Sequence, residues 1–339
     1  MIGNAAAARP CRQLPDRPVC VIILKTKNRN STTVHQGPDM KALRLLLVLL
    51  ALCCCYTVAR ADDAPARVTI IYDAFGKPST LERGWGYSAL VEYGGKRILF
   101  DTGGQYQAFA DNVRALHIDL KRLDFVVISH RHGDHTAGLA YVLQQNPDVT
   151  IYAPLETGSF GTPPSPPAAR ALLRNAAGIA PDLRYFAGQP PANLAIDSPW
   201  PGAHFSLIDH SLEIAPGLFL IKTVSDSKGT LELNELSLAV RTPQGLALVV
   251  GCSHPGIEKI LDAAAPFDAH IYTIVGGLHL VDKSDQQVTE TVEHFQNQWH
   301  IERVAAGHCT GEFAQVELDR VFGSRHDHSG IGEVIALPR

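Results

Sequence analysis

Beyond residue 66 the hydrophobic and polar positions fall into short apolar runs, closed by glycine or polar turns, alternating with stretches of helical spacing. Residues 68–72 read as a strand, and residues 87–93 and 96–100 alternate on either side of Gly94 and Gly95, which predicts a β-hairpin. Residues 107–116 have amphipathic helical spacing, 125–128 make a buried strand, 136–145 a helix capped by Thr136, and 149–153 the next strand. Residues 155–201 break the pattern, with Gly, Pro and Ser concentrated at 158–167 and prolines at Pro190, Pro191, Pro199 and Pro201. A loop-rich insertion with one short helix at 168–177 is expected there, either covering a site or making a surface excursion. Strands return at 206–208, 218–223, 237–242 and 246–250, followed by a helix from Ile257, a strand at 270–275, a helix at 284–298 and a strand at 301–305.

The order is hairpins, strand–helix units, hairpins, and strand–helix units again. Each half then supplies a mixed sheet with helices on one face. Stacking the halves sheet to sheet predicts an α/β fold, a four-layer αββα sandwich with helices on the outer faces.

The chemistry gathers where apolar strands end. After the strand at 125–128 come Ser129, His130, Arg131, His132, Gly133, Asp134 and His135. Neutral imidazole and carboxylate are ligands for zinc and similar divalent ions, and a loop leaving a strand can splay them around one point. His254, His279 and His308 each follow a short apolar strand and are flanked by Gly, which allows tight turns and close backbone approach. His279 reads as a ligand, a substrate contact or a structural imidazole. Trp85, between Gly84 and Gly86, either caps a flat substrate or packs in the core. His326 and His328 stand near the chain end and read as ordinary surface histidines or as site lining.

Composition separates the N-terminal segment from the rest. Residues 1–39 are irregular and basic, an expected extension ahead of a start at Met40. Residues 40–44 are positive, 45–56 are unbroken apolar, and Ala59-Arg60-Ala61 offers small residues at a cleavage site. That order predicts a signal peptide at 40–61, cleaved after Ala61, and export to the periplasm with no stable membrane association afterwards. The run is too short for a comfortable membrane span. A single domain at 62–339 is expected to follow.

Nine of the 30 Lys and Arg and two of the 34 Asp and Glu lie in residues 1–61, leaving 21 basic against 32 acidic side chains, a formal net charge of −11. Such a surface repels polyanions, which favours a small-molecule substrate over nucleic acid. Five of the seven cysteines leave with the same segment, so Cys252 and Cys309 remain. They are a metal ligand and a bystander, two buried thiols, or one disulfide.

The loop from His130 to His135 resembles the HxHxDH signature of the metallo-β-lactamase superfamily, as do Leu99-Phe100-Asp101-Thr102-Gly103 upstream and His308 after the last strand. The segments at 251–257, 276–280 and 307–311 resemble the branch of metal-dependent hydrolases related to 7,8-dihydropterin-6-methyl-4-(β-D-ribofuranosyl)-aminobenzene-5'-phosphate synthase. The resemblance covers most of residues 67–337. It implies one or two divalent ions per chain, zinc foremost, with His130 and His132 at a first metal and Asp134, His135 and His308 at a second. It also implies an attacking water that Asp134 orients, Asp101 bonded behind a ligand imidazole, and His279 protonating the leaving group or binding an anion.

One departure stands out. Superfamily hydrolases usually place a bridging Asp where this chain has Cys252, with His254 two residues on. Either His254 completes the first site, Cys252 bridges, or the two sites differ in affinity. The expected activity is hydrolysis of a phosphoester, lactone or similar bond. The alternatives are a synthase-like condensation on a pterin or aminobenzene substrate, and a metal-holding sensor without turnover.

Overall fold

Period-two alternation sorts the strand residues into two faces, and the core follows that sorting. In the computed structural model, which describes residues 65–162, 178–189 and 198–339, the first sheet contains β1 (Arg67–Tyr72), β2 (Ser88–Tyr93), β3 (Lys96–Phe100), β4 (Phe125–Val127), β5 (Thr150–Pro154) and β6 (His204–Ile208). The second contains β7 (Leu212–Ala215), β8 (Leu218–Val224), β9 (Asn234–Thr242), β10 (Gly245–Val250), β11 (Ile271–Gly277), β12 (Arg303–Gly307) and β13 (His326–His328). The last strand, β14 (Val334–Ala336), returns to the first sheet beside β1. All described residues belong to one compact unit, Arg60–Arg339; the other unit, Met1–Ala59, lies outside them. So do the signal segment expected at 40–61 and the helix expected at 168–177.

The two sheets share one plan. In the first, β14, β1, β2 and β3 run antiparallel and β3 to β6 run parallel. In the second, β7 to β10 run antiparallel and β10 to β13 run parallel. Ile98, Phe100 and Val127 face Leu238, Ala247 and Val249 between the sheets. The intervening Leu99 and Val126 face outward onto α1 (Tyr106–Ala115) and α3 (Leu139–Gln145). Leu246, Leu248 and Val250 face outward onto α4 (Ile257–Ala264), α5 (Asp285–Asn297) and α6 (Glu312–Phe322). The expected αββα sandwich is therefore present. A one-residue slip in any of these strands would exchange its two buried faces, so the register is tightly specified.

Parallel strands place their C-terminal ends on one edge, with the crossover helices packed outside. That edge receives the residues after β3, β4, β10, β11 and β12, the segments that carry the expected chemistry.

Several local expectations are corrected. The helix expected at 136–145 is two pieces, Gly133–Thr136 (here α2) and α3, with Gly138 rather than Thr136 at the N-cap. A Cβ at residue 138 would lie 2.4 Å from the Thr102 carbonyl oxygen, so the chain passes there only as glycine. α6 breaks the usual amphipathic reading: Gln315 and Glu317 are buried while Phe313 and Val316 are exposed. β9 begins three residues before the predicted 237 because its first turn inward is polar, with Glu235 and Ser237 both fully buried. α5, by contrast, starts where the sequence indicates, at a capping box between Ser284 and Gln287.

Candidate metal centre

Strand ends converge because glycine and backbone strain allow it. A Cβ at residue 251 would sit 2.3 Å from Ser129 Oγ, and one at 307 would sit 2.5 Å from Asp73 Oδ2. Asp101, Ser253, His279 and His308, each just past a strand, have φ of 55°, 65°, 48° and 48°. Left-handed backbone at four non-glycine residues in one locality is the kind of strain that persists only where surrounding bonds hold it.

Three buried carboxylates provide those bonds. Asp101 Oδ1 accepts the Ser129 amide at 2.7 Å, and its Oδ2 accepts the Ser129 hydroxyl at 2.6 Å and meets His135 Nδ1 at 2.7 Å. This is the expected place for Asp101, behind an imidazole. Asp73 accepts the His308 amide with both oxygens at 3.0 Å and the Phe75 amide at 2.8 Å. Glu235 accepts three consecutive amides, Cys252 at 3.1 Å, Ser253 at 2.7 Å and His254 at 2.9 Å. Asp73 and Glu235 are absent from the sequence-derived set. Asp73 had a readable signal, since like Asp101 it follows an apolar strand directly; Glu235 had none, lying in a polar stretch.

Around this frame the side chains form two overlapping donor groups. Asp134, His135, Cys252 and His308 offer donor atoms within 4.8 Å of one another, as do His130, Cys252 and His254. Cys252 Sγ lies 3.1 Å from both His135 Nε2 and His308 Nε2. Asp134 Oδ2 lies 3.6 and 3.5 Å from the same two nitrogens. His132 stands against the other group, with Nδ1 3.0 Å from His130 Nε2 and its ring 4.8 Å from that of His254. Arg131 points away, paired with the buried Glu156. Cys252 also joins His279 and Cys309 in a third group; both cysteines are free thiols.

The donor set fits a divalent ion. Both ring nitrogens of His254 and Nδ1 of His308 are buried without a hydrogen-bond partner, a situation that proteins avoid unless another partner exists. Burial, then the neighbouring imidazoles, hold His130 and His308 well below the usual range; the same causes push His254 down to about 2. These rings are therefore neutral, the state that ligates metal. Burial also pushes the Cys252 thiol up, helped by Cys309, so a thiolate there calls for a cation.

His279 and Trp85 mark the rim. The His279 side chain is 25% exposed, with its ring 4.2 Å from that of His254 and Nε2 3.9 Å from Asp282 Oδ2. Trp85 is 54% exposed with its ring 5.1 Å from that of His308, which overturns its core reading. A cavity of about 240 Å³ opens beside His279, lined by His254, His279, Lys283, Ser227 and His294 among others. His326 and His328 do not reach the centre; they group with Asp319 instead.

The residues 83–218 match the family model described as the metallo-beta-lactamase superfamily. A solved structure, Tm1679, a metal-dependent hydrolase of the beta-lactamase superfamily, aligns over 80% of this chain and 99% of its own with a TM-score of 0.58 and 27% identity. The chain has the metallo-beta-lactamase superfamily fold. YhfI from Bacillus subtilis, a metallo-beta-lactamase fold protein, shares the superfamily architecture at a TM-score of 0.50, 15% identity and coverage of 80% and 99%. The suspected branch is supported as well. The 7,8-dihydropterin-6-methyl-4-(beta-D-ribofuranosyl)-aminobenzene-5'-phosphate synthase of Methanocaldococcus jannaschii is 26% identical over 292 residues, 78% of this chain and 93% of that relative.

The metal-free protein should lose stability as pH rises from about 6.5 to 9. Burial opposes charge on His135, but the Asp101 carboxylate outweighs it and lifts the imidazole from 6.5 to about 9. Burial lifts Asp73 from 3.8 to about 8 and Glu235 from 4.5 to about 7, against the opposing amide bonds. In each case the folded chain still holds a proton that the unfolded chain has released. The stability they provide is present below the unfolded values and is lost as pH climbs through the folded ones. The depressed histidines exert their effect below 6.5. Burial opposes charge on Cys309, but Cys252 and His279 outweigh it and lower the thiol from 9.0 to about 6, which offsets part of the loss; His135, Asp73 and Glu235 together exceed that one group. Urea unfolding of chelator-treated protein at pH 6.5, 8 and 9 checks it, and constant or rising stability would contradict it.

Proposed function

We propose that this metal-dependent hydrolase acts on a small molecule carrying an anionic group, with a phosphoester or lactone as the scissile bond and zinc as the ion. The observation that carries the reading is the buried, partnerless His254 placed with His130 around the same sulfur that His135 and His308 approach. In this reading His130, His132 and His254 would hold one ion and Asp134, His135 and His308 a second, with Cys252 a donor within reach of both groups. A divalent ion held there would supply an activated water and polarise the bond under attack.

The chain's own residues do the rest. Asp134, its side chain 23% exposed between His135 and His308, orients the attacking water. Burial works against charge on His279, but the neighbouring Cys309 and the Asp282 carboxylate raise its pKa. At the cavity mouth it is placed to give a proton to a leaving group. Lys283, in the wall of that cavity, draws in an anionic substrate, and Trp85, beside His308, offers an exposed ring for stacking.

Metal analysis of purified protein with a panel of chromogenic phosphomonoesters, phosphodiesters and lactones tests this. His132→Ala should lower kcat/KM by about 100-fold or more, the loss expected when a metal site is disrupted. Fewer than about half an ion per chain in the wild type, or activity surviving the substitution, would sink the reading. A synthase-like condensation is the second reading, favoured by the match over 93% of the methanogen enzyme. Turnover of an aminobenzene substrate without ester hydrolysis would select it.

We also propose export. No helix among the described residues is long and apolar enough to cross a membrane, and the leader-like pattern at 40–61 supports cleavage after Ala61. Protein recovered from a periplasmic fraction should begin at Asp62; an intact leader on cytoplasmic protein would refute this.

A further inference from the structure

β13 contributes His326 and His328, spaced two apart and so on one side of the strand. Their rings lie 4.6 Å apart. α6 brings Asp319 to the same place, with Oδ1 2.8 Å from His326 Nδ1 and Oδ2 3.5 Å from His328 Nε2. The intervening Asp327 turns elsewhere and pairs with Arg303 at 2.6 Å. None of these residues enters the donor groups around Cys252.

We propose that Asp319, His326 and His328 form a separate site for a divalent transition-metal ion that clamps the edge strand β13 to α6. The one contact of ordinary hydrogen-bond length is between Asp319 and His326; it leaves the second ring unexplained. A separation of 3.5 Å from His328 Nε2 to the carboxylate is long for a hydrogen bond. Donor atoms bound at roughly 2.0–2.1 Å around a tetrahedral ion sit about 3.4 Å from one another. All three donors here fall within 4.8 Å of each other, so small side-chain rotations close the site.

Its surroundings suit that role. The His326 side chain is fully buried and fixes one donor, while the side chains of Asp319 and His328 are 55% and 58% exposed. Solvent therefore reaches a fourth position. Two imidazoles with one carboxylate select zinc, cobalt, nickel or copper over magnesium or calcium, which prefer all-oxygen shells. Among the described residues β13 is the last strand of its sheet and pairs only with β12. Its outer side meets no other described strand, so a cross-link to the adjacent helix replaces that constraint.

Equilibrium dialysis against zinc ion alone, followed by elemental analysis, compares the wild type with His328→Ala. The His328 side chain is 58% exposed and meets Asp319 only at 3.5 Å, so this variant keeps the bond between Asp319 and the buried His326 and should keep the wild-type melting temperature after chelation. The wild type is expected to hold one more zinc per chain than the variant, and zinc should raise its melting temperature further. Equal zinc counts overturn the proposal and leave the three residues as an ion-pair network. A lower count in a variant that already melts early without metal overturns it too, because the loss then reports general damage.

Discussion

Cys252→Ala is expected to lower the metal content by about one ion per chain and to reduce hydrolysis by about 100- to 1000-fold. The size follows from how many neighbours the sulfur serves. It stands 3.1 Å from the Nε2 atoms of both His135 and His308 and belongs to each donor group of the centre. Alanine would leave these nitrogens with Asp134, 3.6 and 3.5 Å away, as the one anionic donor of their group. Cys252→Asp keeps an anionic oxygen donor at nearly the same reach and should retain most of the metal. Elemental analysis and kcat/KM on the variants decide the matter. If alanine holds as much metal as the wild type, Cys252 is not a ligand. If aspartate fails as badly as alanine, the requirement is for sulfur and not for charge.

Glu235→Ala should destabilise the metal-free protein by roughly 3 kcal/mol or more, since each buried amide left without an acceptor costs about 1–3 kcal/mol. Three consecutive amides lose their acceptor at once, inside a segment where Cys252, Ser253 and His254 are all buried. Glu235→Gln should fall between. Its single carbonyl oxygen can serve Cys252 and Ser253, but its NH2 then confronts the His254 amide. Urea unfolding in the presence of a chelator isolates this effect from metal loss. A change under about 1 kcal/mol for Ala would mean that water or a rearranged loop satisfies the amides instead.

The two-sheet architecture was legible because the buried strands alternate cleanly, and because the residues after them are so unlike them. His130, His132, Asp134 and His135 stood out for the same reason, and Asp101 through its strand-end turn. Elements whose polarity runs against their burial stayed hidden. α6 buries Gln315 and Glu317 beside Ala314, Leu318 and Phe322 and exposes Val316, so polar side chains interrupt its apolar stripe. β13 is His-Asp-His and has no hydrophobic residue at all. Glu235 escaped notice because its importance lies in backbone amides seventeen to nineteen residues away, a relation that no local pattern encodes. The reading of Trp85 failed as a core residue because composition cannot distinguish an aromatic packed inside from one at a rim.

Glu235 and Asp73 grip main-chain amides at residues 252 to 254 and 308, not the side chains these residues carry. The path of the loops is thus independent of what the loops display. A lineage carrying this scaffold can exchange a carboxylate for a thiol at position 252, or an imidazole for another donor at 254, without first having to rebuild the backbone that presents them. Selection for a new metal or a new bond to cleave can act on one codon at a time while the chain still folds.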